Sequence, residues 1–256
     1  MDLYIHRIMS RDQIIALGYF KSVGRCNSRL RQLFDCGFVR RVFPQNGRYG
    51  AQALHAVNRA AVGILIARIG ADEPDVANQV RREVAPMFLE HTLAIVDCRI
   101  RLEHEAPNIG ARVELWLPEL LCRHEYSVRD GDGQRWQKRV LKPDAFVQLR
   151  SQGVARCFFL EVDMGHVSLG RFERKISTYS EYVRLGLFKD AYDEHGFTVL
   201  TVTTGRRRLS NLKSLVSQAE HPRFLFTTFE SLDEGSIFDC VWQGERGMVS
   251  LIGGAE

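Results

Sequence analysis

Lys142-Pro143-Asp144-Ala145-Phe146-Val147 and Cys157-Phe158-Phe159-Leu160-Glu161-Val162-Asp163-Met164-Gly165 decide how this chain is read. Each is a short apolar run bordered by turn formers, the pattern of a buried strand. Side chains alternate across a strand, so Glu161 and Asp163 share one face while Leu160 and Val162 point to the other. Carboxylates beside a hydrophobic sheet are costly to bury unless something cationic meets them. A divalent ion such as Mg2+ prefers hard oxygen ligands and answers that need. Asp144, Glu161 and Asp163 therefore predict a metal site, and with it phosphodiester chemistry, active or vestigial.

Around these strands the spacing predicts a helix from Pro86 to about Leu102 and strands near 112–117, 121–128, 139–149 and 155–164. A turn is expected at 130–133. A helix over 170–187 carries Lys175, followed by a strand at 197–203, a helix over 206–219 and a strand at 224–227. Strands followed by strand–helix alternation give a mixed three-layer α/β arrangement. Lys175 lies four residues after Arg171 and four before Tyr179, so all three share a helix face. Arg206-Arg207-Arg208 at a helix start reads as a phosphate-binding corner or a solvated arginine run.

The N-terminal segment has a different character. Ser10 caps a short helix from Arg11, and a second helix runs from Arg25 to Cys36, closed by Gly37. Leu30, Leu33 and Phe34 make its expected buried stripe. Its other face shows Arg25, Asn27, Ser28, Arg29, Arg31 and Gln32, side chains suited to base edges and phosphates. Phe38 to Phe43 and a return through Leu54 and Val57 flank Asn46-Gly47, a strong hairpin signal. Helix, turn, helix and a hairpin bearing Arg40, Arg41 and Arg48 predict a winged helix-turn-helix that grips double-stranded DNA.

Charge distribution supports this. The net charge is only +4, yet residues 1–60 hold ten Lys/Arg against three acids. A basic segment of this kind is the footprint of a nucleic-acid contact. Six well-separated cysteines without C-x-x-C argue against zinc and for reduced thiols in a cytoplasm. No run approaches the ~18 apolar residues of a membrane span, and no membrane partner is expected. Asp72-Glu73-Pro74-Asp75 suggests a boundary between domains at 1–72 and 73–256.

The Pro143-Asp144 … Glu161-x-Asp163 arrangement resembles the PD-(D/E)xK signature of restriction-endonuclease-like nucleases, with Asp163 where lysine is usual. The whole chain resembles the replication-relaxation family of plasmids and integrated mobile elements. The matching stretches are Glu90-His91-Thr92-Leu93-Ala94, Trp116-Leu117-Pro118-Glu119-Leu120, Lys142-Pro143-Asp144-Ala145, Leu160 to Gly165, and Arg174-Lys175-Ile176-Ser177-Thr178-Tyr179. The resemblance implies a winged helix followed by a nuclease-like α/β/α domain, and a role in plasmid replication and DNA relaxation. In an active site of that kind Asp144 and Glu161, joined by Asp163, would hold Mg2+ or Mn2+ against the scissile phosphate. Lys175 would replace the missing strand lysine, and Glu119 could add a ligand. The rival expectation is a non-catalytic regulator whose C-terminal domain forms a homodimer or clamps DNA.

Overall fold

The computed structural model describes residues 1–44, 52–70, 72–129, 135–216 and 222–252. Arg48, the Asn46-Gly47 turn, the 130–133 turn and the end of the 206–219 helix lie outside them. The chain forms two compact units, Met1–Ile100 and Arg101–Glu256. The division does not fall at the expected break after residue 72. Asp72 stands at the head of a further helix and Pro74 lies in its first turn, where a missing N–H costs nothing. The Asp-Glu-Pro-Asp stretch therefore opens an element of the first unit.

That unit contains α1 (Asp2–Ile5), β1 (Met9–Ser10), α2 (Arg11–Ala16), α3 (Val23–Asp35), β2 (Val39–Val42), β3 (Leu54–Val57), α4 (Val62–Ile69) and α5 (Glu73–Arg81). The long α6 (Pro86–Glu105) begins in it. The strands form one antiparallel sheet in the order β1-β3-β2. A complete capping box starts α2: Ser10 Oγ accepts from the Gln13 N–H, and Gln13 Oε1 accepts from the Ser10 N–H. Gln13 also donates to the Leu93 carbonyl at 2.9 Å and to Asp97 at 2.7 Å, which ties α2 to α6. Ser22 caps α3, and Gly37 follows it with φ +74°, a value that favours glycine.

The buried stripe of α3 is Cys26 and Leu30, packed with Met9, Ile14 and Val96. Phe34, expected in that stripe, is 41% exposed and carries the Arg41 guanidinium 4.3 Å from its ring centre. Val76 and Val80 of α5 pack against Tyr4 and Leu65.

The second unit is mixed α/β. Its strands are β4 (Ala111–Pro118), β5 (His124–Arg129), β6 (Trp136–Leu141), β7 (Ala145–Ser151), β8 (Val154–Asp163), β9 (Thr198–Thr203), β10 (Arg223–Thr228), β11 (Trp242–Gly244) and β12 (Gly247–Val249). Its helices are α7 (Leu169–Arg184), α8 (Leu187–Tyr192), α9 (Arg206–Lys213) and α10 (Phe229–Glu234). A seven-stranded sheet runs β12-β11-β10-β9-β8-β7-β4, while β5 and β6 pair separately. The sheet is antiparallel across β4, β7 and β8, and parallel across β8, β9 and β10. The single strand expected over 139–149 is in fact two, β6 and β7, divided at Lys142-Pro143-Asp144. A bulge between Val113 and Leu115 interrupts the β4–β7 pairing.

One sheet face carries Phe146, Phe159, Val199, Phe224 and Phe226, covered by Phe172, Ile176, Tyr179 and Tyr182 of α7, Phe188 of α8, and Leu209 and Leu212 of α9. Alternation puts Glu161 and Asp163 on this same face. Phe158, Leu160 and Val162 line the other and are also buried.

Candidate functional site

Asp144 stands where the chain turns into β7. Its backbone N–H donates to the Leu160 carbonyl at 3.0 Å, and its Oδ2 accepts from the Val162 N–H at 2.7 Å. These bonds lock the carboxylate across the strand pair next to Glu161. Glu161 is 4% exposed. One of its oxygens accepts from Tyr179 Oη at 2.6 Å, and the other is ion-paired with Lys175 Nζ. Both partners come from α7 at four-residue spacing, as the shared helix face requires. Lys175 keeps 31% of its side chain exposed, while its ammonium is turned to the buried Glu161 carboxylate.

The electrostatics follow from burial. Burial pushes the Glu161 carboxyl up to about 7, Lys175 pulls it down, and Asp144 adds to the rise. Burial works against the Lys175 charge, but the Glu161 and Asp144 carboxylates outweigh it and hold the amine above its ordinary value. Burial, then Glu161, raises the Tyr179 hydroxyl far above the usual range, so it is a proton donor here. Cys122, whose Sγ lies 3.7 Å from the Pro143 carbonyl, is held as a neutral thiol by burial and by the nearby acids.

Asp163 does not join this pocket. Arg208, from the first turn of α9, grips it with Nε at 2.7 Å and Nη2 at 2.9 Å, and Thr203 Oγ1 donates at 2.8 Å. Arg208 also donates to the Val167 carbonyl, tying the loop after β8 to α9. The expected three-acid pocket is therefore two carboxylates and an amine. Among the described residues no group of three or more His, Cys, Asp or Glu is placed to hold a metal ion. Glu119 is ion-paired at 2.9 Å with Lys142, both at the rim.

In the first unit, Arg25, Asn27, Ser28, Arg29, Arg31 and Gln32 are all exposed on α3. Arg31 stands 3.8 Å from Asp35, one turn on. Arg41 is exposed over Phe34, whereas Arg40 is paired with Glu83 at 3.1 Å.

The replication-relaxation family model matches residues 1–200. The chain belongs to this family. No curated protein and no solved structure matches it. Membership ties the chain to the replication or relaxation of plasmids and mobile elements. In this replication-relaxation protein, the matched stretch contains Asp144, Glu161, Lys175 and Tyr179, while Arg208 lies beyond it. No helix among the described residues is long and apolar enough to cross a membrane.

Sequence reasoning places Tyr179 on the face of Lys175 without giving it a role; the four-residue spacing is the available signal. The grip of Arg208 on Asp163 has no local signal, because the two lie on different elements. Arg206 and Arg207 remain exposed, so the expected arginine corner is divided between an inward and an outward part.

Proposed function

We propose that this replication-relaxation protein binds duplex DNA through a winged helix-turn-helix in its first unit and nicks DNA with a variant PD-(D/E)xK site in its second. The DNA grip rests on the exposed polar face of α3, the three-stranded sheet of the same unit and the basic excess of residues 1–60. A helix of this kind enters the major groove, and neighbouring arginines meet phosphates.

One observation carries the nicking reading: Asp144, Glu161 and Lys175 converge at one buried point on adjacent strands and the covering helix. A carboxylate held protonated to about 7 even with a lysine on it is short of positive charge. Hard oxygen donors in that condition suit Mg2+ or Mn2+, which commonly take one or two carboxylates and complete their shell with water and phosphate. Asp144 and Glu161 are the residues that would hold the ion; Asp163, saturated by Arg208 and Thr203, is not. When bound, such an ion neutralises phosphate charge and acidifies water. Lys175, once released from Glu161, donates to a phosphate oxygen and stabilises its growing charge. Tyr179 keeps Glu161 oriented throughout.

Supercoiled plasmid incubated with Mg2+ or Mn2+ tests this. The parent protein is expected to yield nicked circles. Asp144→Ala and Lys175→Ala are each expected to slow nicking by about a hundredfold or more while duplex binding persists. A second reading has its own support: both oxygens of Glu161 and both of Asp163 are already satisfied within the protein, as in a site retired to clamping DNA. That reading prevails if the parent protein binds duplex yet leaves the plasmid intact with either ion.

A further inference from the structure

The β5–β6 ribbon stands apart from the main sheet and has two unlike faces. On its inner row His124 Nε2 lies 2.9 Å from Tyr192 Oη, Tyr126 donates to Glu181 at 3.0 Å, and Leu141 is fully buried, while Gln137 and Arg139 stay exposed. The strand register places Glu125 opposite Val140, Ser127 opposite Lys138, and Arg129 opposite Trp136. All six of these outer residues are exposed. Trp136 is 67% exposed, and the Arg129 guanidinium sits 5.2 Å from its ring centre. Trp136 is the most exposed of the large apolar side chains described, whereas tryptophan is highly buried on average.

The ribbon also springs from the candidate site. It is inserted between β4 and β7, whose ends Pro118 and Ala145 are direct neighbours in the sheet. Its base carries the Lys142–Glu119 pair and the Cys122–Pro143 contact, immediately before Asp144. From the His124–Leu141 pair at the base, five strand steps lead to Arg129–Trp136, roughly 17 Å. Stacked nucleotides rise by about 3.4 Å, so the same length holds about five of them.

We propose that this ribbon is a platform for single-stranded DNA, on which an unpaired base stacks against Trp136 while Arg129 and Lys138 take the flanking phosphates. The proposal rests on the reading that the second unit works on DNA, and it names the form of DNA presented there. Charge decides the occupant. On the outer face Arg129 and Lys138 stand against Glu125, which is itself paired with Arg123, so the face attracts a polyanion and opposes a second copy of itself. Stacking on an aromatic ring tolerates any base, as strands opened during replication or relaxation would require. An arginine already over the indole adds cation–π support and leaves its N–H groups for phosphate.

The test uses the full chain, a dT oligonucleotide of about fifteen residues and a duplex of equal length. Wild-type protein is expected to bind the oligonucleotide with quenching of tryptophan fluorescence. Trp136→Ala should abolish most of that quench and weaken oligonucleotide binding by about tenfold, with duplex binding and melting temperature unchanged. Trp136→Phe should restore much of the affinity. The triple change Arg25→Ala, Arg29→Ala, Arg31→Ala should do the reverse, losing duplex and keeping the oligonucleotide. If Trp136→Ala and Arg129→Ala/Lys138→Ala bind oligonucleotide like the parent while the triple variant loses duplex, the platform is wrong and the DNA reading stands. If the parent binds neither probe, both fall. If Trp136→Ala instead turns a dimer into a monomer in sedimentation, with oligonucleotide binding unmoved, the face is a self-contact and the proposal fails.

Discussion

Burial keeps Glu161 partly protonated near neutrality, and this has a thermodynamic consequence of definite sign. Its folded value, about 7, lies above that of an unfolded glutamate. The folded state therefore holds the extra proton, and stability from this group is complete below about 4.5 and lost as pH rises to 7. Glu161→Gln should remove that slope, seen as a flatter melting profile between pH 4.5 and 7. His6 and His55 behave oppositely. Burial first, then neighbouring arginines, lower both to about 4. Their stabilising contribution is complete above 6.5 and lost as pH falls towards 4. Hydrogen exchange read segment by segment should show residues 1–100 loosening on acidification through this window. Removing the Arg208 guanidinium is a further residue-scale change. It strands a buried Asp163 charge, so Arg208→Ala should cost about 3 kcal/mol of stability in denaturant titration.

Elements are legible where a local rule writes them and obscure where distant partners do. Ser10 announces α2 as its N-cap, and the structure adds Gln13 to complete a capping box. Alternation on β8 correctly sets Glu161 and Asp163 on one face. It cannot divide them between two helices, since that depends on α7 and α9 docking side by side on the sheet. Proline misleads at α5, because Asp-Glu-Pro-Asp suits a helix start as well as a linker. Strands β11 and β12 are three residues each and glycine-bearing, too short to show a period. Phe34 looks buried by spacing, yet it is exposed beneath a guanidinium that only the β2 fold-back supplies. At this scale Ser10→Ala should lower stability by about 1 kcal/mol. Gln13→Ala should cost more, because it removes the side-chain half of the capping box together with the bonds to Leu93 and Asp97. Chemical denaturation of the two variants checks the order.

Across the whole molecule, positive charge is concentrated in residues 1–60, so salt should act mainly on the DNA grip proposed there. Replacing Arg25, Arg29 and Arg31 is expected to reduce the log–log salt slope of duplex binding by about one unit for each phosphate these side chains no longer neutralise. Filter binding over a salt series measures it. Sheet edges bear on a different property. The β4 margin is kinked at Glu114, which is bracketed by Arg150 at 2.5 Å and Arg112 at 3.2 Å, and the opposite margin is the three-residue β12. Neither offers a flat row of free amides to a neighbour. Growth into fibres by strand addition is thereby discouraged at both borders. Straightening the charged kink with an apolar residue would remove that protection at the β4 border.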